Sequence, residues 1–326
     1  MNVTFFARSL IPGQYSLERV LDNLVAGLGE RVRSMVYRVH PGFYGLCGTI
    51  GAVRAQGDIN HIAGHVHYLA SVLTPRKTVI TVHDIGHLSS IRPTVKPFYR
   101  CLWYNIPLTR VAAVITVSAF TRRELIREFG LKPSSVRVIH DCVPAGLQRS
   151  PAEFKTDSPT ILVVGTAPHK NSMRLVAAVE GTRCRILFIG RVQDALLRKL
   201  TSAGVEFEEK LNLTNEGLAE CYRRADLVYF ASTYEGFGLP IVEAQTVGRP
   251  VITSRICSMP EVAGDGALFV DPYDVKDIRL ALQKLFASAD LRAELVEKGY
   301  SNVKRFSRAV FADAHLEVYG QIAAGR

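Results

Sequence analysis

The segment Tyr234-Glu235-Gly236-Phe237-Gly238-Leu239-Pro240-Ile241-Val242-Glu243 gathers two carboxylates and two glycines around one turn, a grouping suited to an anion that also carries hydroxyls. It follows an apolar run, 226–231, that reads as a buried strand, and precedes another, 241–247, that reads as a helix. The glycines free the backbone to turn tightly and expose its N–H groups. Pro240 suits the first turn of a helix, where no N–H is needed. The positive end of that helix therefore points at whatever sits above the strand, which favours a phosphate. Glu235 in the turn and Glu243 in the first helical turn both border that spot. Two acids beside an anion site weaken it for bare phosphate but suit a nucleotide sugar, which offers hydroxyls to each. The plainer alternative for the pair is helix capping.

The elements that must position these residues follow from the rest of the chain. At 326 residues it fits two domains of ordinary size. With 48% hydrophobic and 21% charged residues the composition is that of a globular protein, and no apolar run approaches the roughly 18 residues of a membrane span. The start, Met1 to Phe6, runs straight into a strand-like stretch without signal-peptide architecture, which points to a cytoplasmic protein, soluble or peripherally bound. Cys47, Cys101, Cys142, Cys184, Cys221 and Cys257 form no CxxC pair and no metal spacing, so reduced structural thiols are expected.

Continuous apolar strands alternating with helices indicate parallel sheets covered on both faces. In the first half, strands are expected at 3–6, 33–39, 58–62, 78–82, 114–117 and 136–139, with helices at 16–28, 96–108 and 119–129. A polar, proline-bearing stretch at 148–159 reads as a linker. Beyond it the pattern restarts, with strands at 160–164, 185–189, 226–230, 250–253 and 267–270. Its helices are expected near 172–179, 194–203, 215–224, 240–247, 275–288 and 291–304. The expected architecture is α/β: two tandem Rossmann-like, doubly wound domains facing a cleft, 1–150 and 151–307. The last helix, within 308–326, has no strand to feed and is expected to pack back on the first domain. Ligands of such sheets bind at the C-terminal strand ends.

The net charge of +10 lies wholly in the first half: residues 1–150 hold 18 Lys and Arg against 8 Asp and Glu, and residues 151–326 hold 22 of each. The first half alone therefore calls for an anionic partner, whether nucleic acid, acidic lipid or acidic glycan. Arg92, Lys96, Arg100 and Arg110 interleave with Phe98, Tyr99, Trp103 and Tyr104. On a helix these make either a membrane-interface surface or a solvated helix with its aromatics in the core.

Five segments, in order and spread over nearly the whole chain, carry a family resemblance. Glu235 to Glu243 resembles the E-x7-E motif of retaining glycosyltransferases of family 4, which have the two-Rossmann GT-B fold. Val163-Val-Gly-Thr-Ala-Pro-His-Lys-Asn171 resembles the strand–loop–helix start that holds the donor diphosphate. Val117 to Leu125 resembles the family's strand-to-helix signature in the first domain. Met259 to Ala267 with Val270-Asp-Pro272 resembles the segment after the donor site, and Val79 to Asp84 resembles the strand end with the acceptor-side histidine.

The resemblance implies roles. Glu243 binds the donor ribose and Glu235 the hydroxyls of the transferred sugar. Backbone groups of Gly236, Phe237, Gly238 and Leu239 approach the diphosphate, together with the Gly165-Thr166 loop. Lys170 pairs with the diphosphate as the glycosidic bond breaks. His83 lies near the reacting sugar, with Asp84 placed to fix its tautomer. Gly13, in the first strand-to-helix loop, is the remaining phosphate-loop candidate. The plain alternatives are a surface lysine for Lys170 and a satisfied core histidine for His83.

This chain departs from the pattern at Thr166 and His169, where relatives often carry an arginine; Arg249 or Arg191 is then the candidate second cation. Asp141-Cys142 replaces an Asn–Gly pair. No D-x-D triplet is present and no third ligand joins His83 and His87, so no metal and no cofactor is expected beyond the nucleotide sugar as co-substrate.

The resemblance thus implies a retaining, metal-independent hexosyltransferase, with GDP-mannose favoured over a UDP-sugar as donor. Its acceptor would be an anionic or membrane-held glycan or glycolipid, as in lipopolysaccharide or polysaccharide biosynthesis at the cytoplasmic membrane face. Nucleic acid is not expected as a partner. The competing readings are a GT-B nucleotide-sugar epimerase and a non-catalytic glycan-binding protein.

Overall fold

A computed structural model describes residues 1–9, 16–39 and 44–325. The chain divides into two compact units, one of Met1–Cys142 with Arg308–Arg326 and one of Val143–Ser307. Residues 143–150 join the second unit through backbone bonds, from Val143 N–H to the Phe306 carbonyl (3.0 Å) and from Ser150 N–H to the Val247 carbonyl (3.1 Å).

The first unit contains β1 (Asn2–Arg8), α1 (Ser16–Leu28), β2 (Arg33–Val39), α2 (Tyr44–Arg54), β3 (Ile59–Ile62), β4 (Thr78–Val82), α3 (Lys96–Arg100), α4 (Ile106–Arg110), β5 (Ala113–Thr116), α5 (Ala119–Phe129) and β6 (Val136–Val138). Its six strands are parallel in the order β2-β1-β3-β4-β5-β6. β3 and β4 are buried at every position, as interior strands of a parallel sheet covered on both faces must be. The strand order reverses between β1 and β3.

Two features of this unit escape a periodicity reading. α2 contains Gly45, Gly48 and Gly51, poor helix formers. At Gly51 smallness is needed locally, because a Cβ there would lie 2.0 Å from Tyr37 Oη, which donates to the Gly48 carbonyl at 3.0 Å. The single helix expected over 96–108 is instead α3 and α4 joined by a π-helical turn, Cys101–Asn105. Pro107 has no N–H for the Trp103 carbonyl, and that carbonyl takes a hydrogen bond from His67 Nδ1 instead (3.2 Å).

The second unit contains β7 (Thr160–Val164), α6 (Ser172–Val179), β8 (Arg185–Ile189), α7 (Asp194–Ser202), β9 (Glu206–Lys210), α8 (Asn215–Arg224), β10 (Leu227–Phe230), α9 (Leu239–Val247), β11 (Val251–Ser254), α10 (Met259–Ala263), β12 (Leu268–Val270), α11 (Val275–Ala287) and α12 (Ala289–Asn302). Its strands are parallel in the order β12-β11-β10-β7-β8-β9, reversing between β7 and β10. β9, sequence EFEEK, looks like a polar loop but is an edge strand, where charge discourages pairing with another chain. Arg224 and Lys210 hydrogen-bond Glu208 there and hold its carboxyl down at about 2.

The last helix, α13 (Arg308–Ala323), packs on α1 and β3 of the first unit. Its Tyr319 Oη lies 2.6 Å from Nδ1 of His61 on β3, whose Nε2 meets Thr81 Oγ1 at 2.7 Å, and its His315 ring lies tilted beside His61 with centroids 5.6 Å apart. None of the described helices is long and apolar enough to cross a membrane.

Burial pushes His65 and His315 down to about 4 and His67 to about 3, so all three are neutral near pH 7. Between pH 6.5 and those values the unfolded chain takes up protons that the folded rings refuse, so stability falls as pH falls through that window. A ring held at about 4 accounts for about 3 kcal/mol of this. The thermal midpoint is expected to drop steadily from pH 7 to pH 4; a midpoint flat over that range contradicts neutral burial of these rings.

Candidate active site

The second sheet's order reverses between β7 and β10, which leaves a crevice above their C-terminal ends. Two loops fill it. After β7, Gly165 turns at φ 87°, where a Cβ would also come within 3.0 Å of Lys170 Cε. Thr166 Oγ1 donates to the Arg191 carbonyl (2.7 Å), tying this loop to the end of β8. Asn171 adopts the left-handed conformation at φ 63° and caps no helix with its side chain. Its Nδ2 donates instead to the carbonyls of Ala231 (3.0 Å) and Pro272 (2.7 Å). The His169 carbonyl accepts from Thr233 N–H (2.8 Å), so the two loops are stitched together.

Across this crevice Lys170 Nζ meets Glu235 Oε1 at 2.6 Å, a short charge-assisted hydrogen bond between side chains 19% and 14% exposed. The ammonium also sits 4.9 Å from the centre of the Phe230 ring, and His169 Nε2 lies 3.9 Å from the same carboxylate oxygen. Ser258 Oγ donates to the carbonyls of Glu235 (2.9 Å) and Phe237 (2.7 Å) and fixes the turn. Gly238, at φ 110°, leads into α9, whose first residue is Leu239; a Cβ on Gly238 would crowd Phe230 and Ile241 at 3.2 Å. Phe237 is buried with its ring edge-on to Phe306.

Lys170, Glu235 and Gly165 therefore come together, with Gly236 to Leu239 forming the turn beside them. Glu243 is buried on α9, and its Oε2 accepts from Tyr222 Oη at 2.5 Å.

In the first unit His83 follows β4 directly. Asp84 Oδ1 is engaged elsewhere, accepting the Gly86 N–H (2.9 Å) in a tight turn. The carboxylate nearest His83 Nδ1 is Asp141, with Oδ2 at 3.7 Å, a residue whose strand lies two places away in the sheet. The replacement of the family's asparagine by Asp141 is the sequence signal that marks this residue. His87 belongs to a neighbouring cluster, where Tyr99 Oη lies 2.9 Å from His65 Nε2 and 3.2 Å from His87 Nε2. Gly13 lies outside the described residues.

Arg249 is not a phosphate ligand. Its guanidinium is buried and spent on four backbone carbonyls, those of Tyr222, Ser150, Gly248 and Arg223, at 2.8 to 3.2 Å. Arg191 is exposed beside Thr166. Among the described residues no three His, Cys, Asp or Glu side chains converge on a metal position. A cavity of about 350 Å³ in the second unit opens at the opposite ends of β10 and β11, beside Asp226 and Arg249, and is lined by neither Lys170, Glu235 nor Glu243.

With this geometry in hand, comparison with known proteins gives a consistent result. The family profile described as Glycosyl transferases group 1 matches residues 147–302, and Glycosyltransferase Family 4 matches residues 3–146. The chain is 30% identical over 257 residues to O-antigen chain mannosyltransferase B of Escherichia coli, covering 71% of this chain and 67% of that one. It is 27% identical over 275 residues to the serotype-specific mannosyltransferase WbdA of Escherichia coli, covering 76% of this chain but only 33% of that longer protein. The fold matches that of Anabaena Alr3699/HepE, solved in complex with UDP and glucose, with a TM-score of 0.81 at 16% identity over 98% of this chain and 100% of that one. By these matches, and by its two six-stranded parallel sheets, the chain belongs to the group 1, family 4 glycosyltransferases of GT-B fold.

Proposed function

We propose that the chain transfers a mannosyl group from a nucleoside diphosphate mannose, GDP-mannose before any UDP-sugar, to an acceptor hydroxyl with retention at the anomeric carbon. The observation that carries this reading is the Lys170–Glu235 pair at the reversal of β7 and β10, with the glycine turn and the start of α9 beside it. The names of the curated relatives favour mannose.

In this reading Lys170 and the α9 N-terminus face the diphosphate, Glu235 accepts hydrogen bonds from sugar hydroxyls, and Glu243 holds the ribose. The bond from the anomeric carbon to the phosphate oxygen breaks with its electron pair passing to the nucleoside diphosphate. The acceptor oxygen bonds to the same face of that carbon, and its proton passes to the departing phosphate. Lys170 and the helix terminus supply the positive charge that a metal would otherwise bring, so transfer should proceed in EDTA. Negative charge grows on the leaving oxygen, and a cation held 2.6 Å from its partner needs little reorganisation to meet it.

The acceptor reading rests on charge and on one surface. The first unit holds 19 Lys and Arg against 10 Asp and Glu, a net +9, while the second holds 21 against 20. On the α3–α4 helix Tyr99, Trp103 and Tyr104 turn inward and stack, whereas Phe98 is 70% exposed, with Val95 and Ile106 also outward. An apolar ridge beside Arg92, Lys96 and Arg110 suits the interface of an anionic bilayer at the cytoplasmic face, where a lipid-linked glycan acceptor is presented.

Three outcomes are expected. Lys170→Ala and Glu235→Gln, assayed in EDTA with an acceptor, should each lower kcat about 100-fold or more while the melting temperature is retained. Nucleoside diphosphate released without any acceptor would favour hydrolysis or epimerisation instead. In thermal-shift titrations GDP should raise the midpoint more than UDP or ADP, since a bound leaving group stabilises the fold by mass action; a larger shift with UDP reverses the donor assignment. Co-sedimentation with vesicles containing phosphatidylglycerol should fall several-fold in Phe98→Ser, and equal binding to purely zwitterionic vesicles would remove the membrane reading.

A further inference from the structure

His83 stands at the end of β4 with a buried carboxylate against its ring. Its Nδ1 faces Asp141 Oδ2 at 3.7 Å. A carboxylate can only accept, so the ring nitrogen facing it is set to donate. Asp141 is itself 3% exposed, and its Oδ1 is buried without a hydrogen-bond partner. A carboxylate so placed is costly to bury unless a positive charge stands against it.

We propose that Asp141 is a positioning residue that keeps His83 as an imidazolium, making the C-terminal end of β4 a fixed positive charge and not a proton acceptor. The groups facing His83 fit this assignment. Asp141 and Asp84 are acidic, while His61, His315, His65 and His67 are all pushed toward the neutral form by burial and so leave the charge on one ring. Burial alone would also strip the proton from His83, but the two carboxylates and the Ala63 carbonyl outweigh it and raise its pKa above the ordinary 6.5. Thr121 Oγ1 donates to the His83 carbonyl (3.3 Å) from the first turn of α5, which steadies the strand end that carries the ring.

Two consequences follow for chemistry at this strand end. An imidazolium attracts a phosphate or carboxylate that reaches it, and it has no lone pair with which to take a proton from an acceptor hydroxyl. The second consequence rests on the transferase reading; the protonation state itself does not.

The decisive experiment is a histidine titration of the full chain. Protein labelled with 13C at the histidine Cε1 is followed by NMR from pH 5 to 9, with His83→Gln identifying the resonance. In the wild type the His83 ring is expected to be mostly protonated at pH 7, and in Asp141→Asn its midpoint should fall by at least one pH unit, a tenfold loss of proton affinity. A wild-type ring mostly neutral at pH 7, or equal midpoints in the two proteins, overturns the proposal. The wild-type measurement stands even if the variant fails to fold. As a kinetic companion, kcat/KM of Asp141→Asn should decline with rising pH about a unit earlier than that of the wild type. A loss of the same proportion at every pH would instead mark Asp141 as merely structural.

Discussion

The Asn171 side chain ties together the part of this molecule on which the candidate chemistry depends. Its amide bonds the backbone beyond β10 at Ala231 and beyond β12 at Pro272, while its own backbone sits in the left-handed conformation at the end of the β7 loop. Three strand ends are thereby fixed to one residue. Lys170 is its immediate neighbour in sequence, so the ammonium is delivered to Glu235 by a loop with little freedom left. A charged group that already points where negative charge will develop does not have to reorganise during the reaction. The nearby glycines serve the same end, since Gly165 and Gly238 adopt positive φ where a side chain would be strained and tightly packed.

The two units handle their buried polar groups differently. The second is near charge balance and spends its one well-buried arginine, Arg249, on backbone carbonyls, which locks the chain around Ser150 and Gly248. The first carries the net positive charge but buries mostly neutral polar rings. His61, Tyr319 and Thr81 satisfy one another, and His67 takes up a carbonyl freed by Pro107. Against that neutral background the His83–Asp141 pair is distinctive, because it concentrates charge at a strand end where a ligand can feel it.

Much of the secondary structure is legible from periodicity, because interior parallel strands are apolar throughout and their crossover helices are not. Thr78 to Val82 and Thr160 to Val164 are strands at their expected bounds. The reading fails where a neighbour outside the local sequence decides. Gly48 and Gly51 of α2 look like helix breakers until Tyr37 lies against them, and β9 looks like a polar loop until β8 pairs with it. The π turn in 101–105 needs two facts at once, a proline at 107 and a histidine from another segment to take up the orphaned carbonyl.

The same division holds for the candidate site. The sequence by itself determined the doubly wound class, the family, and the local grouping of Glu235, the glycine turn and the start of a helix, because those features lie within a few residues of one another. Only the tertiary structure decided which side chains meet. Lys170 and Glu235 are 65 residues apart and face each other because the strand order reverses between β7 and β10. Glu243 turned out to be partnered by Tyr222, Arg249 by carbonyls, and His83 by Asp141 in place of the adjacent Asp84. Sequence proximity favoured Asp84, but its carboxylate closes a turn on Gly86, while the sheet brings Asp141 from two strands away to the ring. Spacing along the chain reports what one element presents; partnership across a sheet depends on strand order and burial, which no local pattern encodes.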